Sequence, residues 1–253
     1  MKKRILILLC MLIGSMRLDG ADLIAVLVCD THAENIESAV KADLKTMQAE
    51  ANRIALNTDL NLREVVFVDQ DVKPKNFLTK LKLIPVTQDD VVLFYYSGHG
   101  YRTSSKDGNP WPNLFFTPAK QGVDFNEVSM RLLKKKPRLL VSIADCCNNY
   151  MPDGGAPPVY RGELFGKASS RVMANYQELF LNTSGLVMVS SSEVGELSWC
   201  ISRGALFTLA LIDSLKIETQ KIAAGNASWQ TVLDRASFVV RDRQTPMYVI
   251  EEE

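Results

Sequence analysis

Three stretches of this chain, residues 23–28, 91–96 and 139–144, are apolar at nearly every position and then stop abruptly. A strand with one wet face alternates polar and apolar residues, so a strand apolar throughout is buried on both faces. Such strands belong to a parallel sheet covered on each side by helices, and the intervening segments must supply those helices. They do: Ile36, Val40, Leu44, Met47, Ala51 and Ile54 recur at spacings of three and four, which places them on one helical face. Thr31-His32-Ala33-Glu34 has the form of a capping box and is expected to open that helix. The pattern continues with a strand over 65–68, a short helix over 74–83 and a helix over 124–135. A strand over 185–191, a helix around 206–215 and a last helix over 228–241 complete it. The fold class is therefore α/β, with a largely parallel central sheet flanked by helices on both faces.

Ligands and chemistry in such sheets gather at the carboxyl ends of the strands. Here the run over 91–96 ends in Ser97-Gly98-His99-Gly100, and the run over 139–144 ends in Asp145-Cys146-Cys147. A thiol is only a few per cent ionised at neutral pH, and a neighbouring imidazole both raises that fraction and later protonates a leaving amine. His99 and Cys147 are thus the candidate catalytic pair. The backbone amides of Gly100 and Cys147 are the candidate oxyanion donors. The second histidine, His32, lies beside a helix start and reads as a surface residue.

The 253 residues carry 29 basic and 29 acidic side chains, a balance that offers no electrostatic grip on nucleic acid or an anionic membrane. Lys134-Lys135-Lys136 reads as a solvated helix end. The first twenty residues differ: Met1-Lys2-Lys3-Arg4 is followed by an apolar stretch over 5–13 and then Gly14-Ser15. That layout is a secretory signal over 1–20, too short for a stable membrane span, ahead of one domain over 21–253. The product is exported to a periplasm or the exterior if the signal is used, and cytoplasmic otherwise. Removing the signal leaves Cys29, Cys146, Cys147 and Cys200, and a disulfide between the ends of the first and third apolar runs is conceivable in an oxidising compartment. Metal binding is not expected, because Cys-x-x-Cys spacing is missing. The segment over 148–184, with Gly154-Gly155 and Pro157-Pro158, reads as a substrate-flanking loop beside the candidate nucleophile, or as a surface connection with a short helix near 171–181.

Tyr96-Ser97-Gly98-His99-Gly100 and Asp145-Cys146-Cys147 resemble the two signature motifs of the caspase-like cysteine peptidases, particularly metacaspases and their bacterial relatives. The spacing agrees, since 48 residues (147 − 99) separate histidine from cysteine, close to the roughly 50 of one caspase class. Lys41-Ala42-Asp43, Ser190-Ser191-Ser192, Gly204-Ala205-Leu206-Phe207-Thr208 and Gln244-Thr245-Pro246 are similar to further conserved stretches of that family. The resemblance implies a caspase-like fold and a cysteine endopeptidase. It implies that Cys147, not Cys146, is the nucleophile and His99 its acid and base. Asp43, Ser97 and Asp145 fall where metacaspases line the pocket for the residue before the scissile bond. Two carboxylates there favour a cation, so the expected partners are proteins or peptides cleaved after arginine or lysine.

Two departures stand out. Metacaspases show histidine-serine-glycine after the nucleophile, and this chain has Asn148-Asn149-Tyr150. The place of a calcium-binding aspartate pair reads Phe125-Asn126, so no cofactor and no calcium dependence are expected. The alternative function is a catalytically degenerate caspase-like domain that binds basic peptides or proteins through the same pocket.

Overall fold

A computed structural model describes residues 20–106, 108–150 and 169–252. The signal over 1–20 lies outside the described residues apart from Gly20, and the long loop lies outside them between 151 and 168.

The apolar runs are strands at the centre of the sheet. β1 (Asp22–Cys29), β3 (Val91–Ser97) and β7 (Leu139–Asp145) pair in parallel, with β2 (Asn61–Phe67) outside β1 and β8 (Gly185–Ser190) outside β7. A short strand, β11 (Met247–Glu251), closes the far edge antiparallel to β8, giving the order β11-β8-β7-β3-β1-β2. Strand order reverses between β1 and β3, and the site lies next to that reversal.

Burial on both faces follows from the pleat. In β1, Leu23, Ala25, Leu27 and Cys29 point into one core while Ile24, Val26 and Val28 point into the other. The first core is roofed by α1 (Glu37–Thr58), α4 (Ser170–Gln177), α5 (Leu206–Gln220) and α6 (Trp229–Val240), and includes Met47, Phe180, Phe207 and Trp229. The second is roofed by α2 (Pro74–Leu83), α3 (Phe125–Leu133) and a small antiparallel sheet of β4 (Gly100–Tyr101), β5 (Asn113–Phe116) and β6 (Gln121–Asp124). Phe77 sits at its centre, with ring centroids 5.2 Å from Phe67 and 5.5 Å from Phe116 in edge-to-face contact.

The structure departs from the sequence expectations in particular places. The capping box does not form. α1 starts at Glu37, its preceding residue Ile36 offers no side-chain cap, and Asn35 takes a left-handed φ of 67°. The Thr31 hydroxyl instead donates to Asp69 Oδ1 at 2.5 Å and accepts from the Asp69 amide, so a tertiary contact outcompetes the local cap. β2 begins at Asn61, earlier than 65, because an edge strand needs only backbone pairing and tolerates Arg63 and Glu64. Two hairpin-like features carry too few residues to show periodicity: the β4-β5-β6 sheet and the pair β9 (Cys200–Ile201) and β10 (Gly204–Ala205). All four described cysteines are free, so the conceivable disulfide between strand ends is not formed. Among the described residues no helix is long and apolar enough to cross a membrane.

Candidate active site

Register brings the two strand ends that carry the candidate pair to one edge of the sheet. β3 and β7 are neighbours, and Ser97 lies opposite Asp145. His99 is two residues past the first and Cys147 two residues past the second, so both leave the sheet at one height from strands about 4.8 Å apart.

Each strand end is then fixed by its own contacts. Tyr96, fully buried, places its hydroxyl against the carbonyls of His99 and Phe115 at 2.7 and 2.6 Å, tying the turn after β3 to β5. The His99 ring bonds through Nε2 to the carbonyl of Glu34 at 3.0 Å. A carbonyl only accepts, so Nε2 carries the proton and Nδ1 is left as the basic nitrogen. This orienting group was not foreseen, because a backbone carbonyl has no sequence signature; the loop that the failed capping box leaves behind delivers it.

Gly100 is required by close approach. A Cβ there would lie 2.3 Å from the Cys147 carbonyl oxygen and 2.5 Å from Cys146 Sγ. The amide of Phe115 donates to the carbonyl of His99, which makes Gly100 and Leu114 a non-hydrogen-bonded pair. The N–H of Gly100 consequently points away from β5.

The two adjacent cysteines are separated by the pleat. Cys146 is 2 % exposed and packs in the second core, and burial pushes its thiol well up. Cys147 is half-buried. Its sulfur accepts from the Ser198 amide at 3.3 Å and donates to the Ser198 carbonyl at 3.7 Å. Burial raises the Cys147 thiol as well, partly offset by the amides of Ser198 and of Cys147 itself. Among the described residues no hydrogen bond joins the thiol to the His99 ring; substrate-free hydrogen bonds of this kind are often long and tighten on binding.

The carboxylates lie beneath this surface. Asp43 on α1 is 1 % exposed and accepts from the Ser97 hydroxyl at 2.7 Å and the Ala205 amide at 2.9 Å. Asp145 is 3 % exposed and accepts from the Thr208 amide at 2.8 Å, the Thr208 hydroxyl at 2.7 Å and the Ser198 hydroxyl at 2.8 Å. Every donor is neutral. Burial first and the charge of Asp145 second raise Asp43 to about 8, and burial raises Asp145 too. Gly204, at φ 135°, crosses directly over Asp43, where a Cβ would come within 2.5 Å of Oδ1. Ser97 is 2 % exposed and its hydroxyl donates to Asp43, so it holds the carboxylate in place.

Residues 22–252 match the caspase-domain family, Peptidase_C14. The chain belongs to that family. Its fold is similar to that of protein GSU0716 from Geobacter sulfurreducens, with a TM-score of 0.57 and 13% identity over 90% of this chain and 92% of that one. It is also similar to caspase-1 from Spodoptera frugiperda, with a TM-score of 0.55 and 14% identity over 90% and 88%. Likeness at this identity concerns the fold. No curated protein sequence matches the chain.

Within this caspase domain Ser198 escaped the sequence reading, which gives Gln244 and Asn148 no role in the site. Ser198 touches both candidate centres, with its backbone on the Cys147 sulfur and its hydroxyl on Asp145. Gln244 supports it, accepting from the Trp199 amide at 2.9 Å and donating to the Ser191 carbonyl at 2.8 Å. Asn148, the first residue of the unusual stretch, is fully buried. Its amide nitrogens donate to the Glu196 and Pro110 carbonyls, and its carbonyl accepts from Gly195. The departure after Cys147 thus ties the nucleophile loop to the 195–198 segment.

Proposed function

We propose that this caspase domain is a cysteine endopeptidase that cleaves after arginine or lysine, with Cys147 as nucleophile and His99 as general acid and base. The observation that supports the reading is the register of β3 and β7, which brings Ser97 opposite Asp145 and so carries the chain toward His99 and toward Cys147 from neighbouring strand ends. The Glu34 carbonyl fixes the His99 tautomer so that Nδ1 takes the thiol proton. The thiolate attacks the scissile carbonyl, and the amides of Gly100 and Cys147 receive the charge that develops on its oxygen. His99 then returns the proton to the leaving amine. Water, with its proton drawn off by His99, hydrolyses the acyl-enzyme and frees the thiol. The chemistry uses no metal or cofactor, and activity is expected to be indifferent to calcium.

Selectivity for a cation rests on Asp43 and Asp145. Burial and the charge of Asp145 raise Asp43 to about 8, so it holds a proton at neutral pH, and a guanidinium would let it ionise beside Asp145. The 198–205 segment covers them and must yield for the side chain to enter. A fluorogenic peptide ending in arginine tests the reading: turnover is expected from the mature chain and is expected to be lost in Cys147→Ala and His99→Ala. No turnover in reducing buffer, with or without calcium, would overturn it. The long loop offers Arg161 and Lys167 for self-cleavage, and Arg171, in the first turn of α4, would require unwinding. Export through the 1–20 signal belongs to the same proposal and is read by N-terminal sequencing of secreted protein.

One observation favours the second reading, a non-cleaving binder of basic peptides. The Cys147 sulfur is engaged on both sides by Ser198 and its thiol is raised by burial. Iodoacetamide labelling separates the two. A working nucleophile labels much faster than Cys29 or Cys200 and slows in His99→Ala, whereas a binder labels Cys147 at the pace of an ordinary half-buried thiol.

A further inference from the structure

A second concavity lies on the α1, α5 and α6 side of the sheet, a cleft of about 980 Å³ with α5 as floor and α1 and α6 as walls. That volume is at the upper end of small-ligand sites. Its surface is divided. Leu206, Leu209 and Ala210 form an apolar floor, extended by Ile217 and Val239, which are 54% and 60% exposed. From Leu206 to Ile217 the floor runs about 16 Å along α5.

Charge is divided too. At the α5 C-terminal end every lining cation is matched: Arg53 by Glu50, Lys216 by Asp213 and Arg235 by Glu218. At the other end Lys45, Arg203 and Arg243 reach the cleft, and among the described residues none forms an ion pair. Asp242 is the single acidic residue lining that end, 85% exposed at the rim and 3.9 Å from Arg241. Arg243 stands over the Trp199 ring at 6.0 Å. Arg203 carries a second, independent sign of a missing partner, since its Nε is buried without any hydrogen-bond acceptor. Leaving such a donor unmet is costly unless an acceptor arrives. In the substrate-free chain the Arg203 turn is also held in place, because the next two residues, Gly204 and Ala205, pack against Asp43. A preorganised cation of this kind binds an anion without first paying to order itself.

We propose that this cleft binds a single-chain anionic amphiphile of the fatty-acid class, its head group on Arg203, Lys45 and Arg243 and its chain along α5. The charge division fixes the orientation, and the helical walls disfavour an extended peptide. Their backbone groups are satisfied internally and offer no ladder for a strand to join. The site is separate from Cys147, and the proposal holds whether or not the domain cleaves peptides.

Calorimetric titration of the full chain with dodecanoate, kept below its micelle threshold, tests the proposal. One equivalent is expected to bind, with decanoate about tenfold weaker for two fewer methylenes, and with acetate and dodecyltrimethylammonium silent. Arg203→Gln is expected to weaken dodecanoate at least fivefold. Val239→Glu, at an exposed position where folding is retained, is expected to abolish binding by placing a like charge and a polar group beside the chain. Equal binding of the cationic surfactant, no effect of either variant, or binding only of an acidic helical peptide or of lipid vesicles would overturn the proposal.

Discussion

Gly100 shows how closely the site is built at the level of single atoms. Gly100→Ala would press a methyl into the Cys147 carbonyl and into the sulfur of Cys146, which is buried in the second core. Overpacking of this kind costs about 1–3 kcal/mol. We expect a fall in thermal midpoint and, on the proposed mechanism, a drop in peptide turnover of about a hundredfold, since the shift displaces both amides proposed to receive the oxyanion. Cys146 and Cys147 are adjacent past the end of β7, yet Cys146 is buried in the second core with its thiol pushed well up, whereas Cys147 is half-buried. Mass mapping after brief iodoacetamide treatment of folded protein is expected to find Cys147 modified and Cys146 and Cys29 intact. Modification of Cys146 would contradict the assignment of the nucleophile.

Among elements, the start of α5 is the joint between sheet and site. The Thr208 hydroxyl donates to Asp145 and accepts from Tyr95, at 2.7 Å in each case, and both partners are fully or almost fully buried. Thr208→Val leaves two buried polar groups short of a partner, at about 1–3 kcal/mol each. Chemical denaturation is expected to report a loss of about 2–6 kcal/mol for the two together. Adding Tyr95→Phe removes one stranded hydroxyl and is expected to recover part of the loss; a strictly additive double variant would show that the chain Tyr95–Thr208–Asp145 is not a network. The same α5 supplies the floor of the amphiphile cleft, so its first turn, with Thr208 on Asp145 and Leu206 in the floor, borders both sites.

For the whole molecule, the buried carboxylates set the pH response. Asp43 is raised to about 8, and Asp145 and Glu50 are raised as well, each chiefly by burial. Their unfolded values lie near 4. Between pH 4 and 8 the folded chain therefore holds more protons than the unfolded one, and stability falls as pH rises. The denaturation midpoint is expected to be higher at pH 5 than at pH 8, with a shallower slope in Asp43→Asn. An arginine-like ligand reverses the sign at the pocket. Its binding should release protons and strengthen as pH approaches 8, which calorimetry in buffers of different ionisation enthalpy measures directly.

What the sequence determined alone was the part governed by periodicity: strands apolar at every step, helices with a stripe at three and four, and hence a covered parallel sheet with His99 and Cys147 at its carboxyl edge. The motifs around those residues carried the family, because close approach and strand ends restrict which residues fit. Tertiary structure decided the rest. It turned Thr31 from a cap into a partner of Asp69, put the Glu34 carbonyl on His99, and folded Gly204 over Asp43. It also gathered Lys45, Arg203 and Arg243 around one cleft. Each of these is a contact between distant segments, often through backbone atoms that every residue shares, and local spacing along a chain holds no record of such contacts.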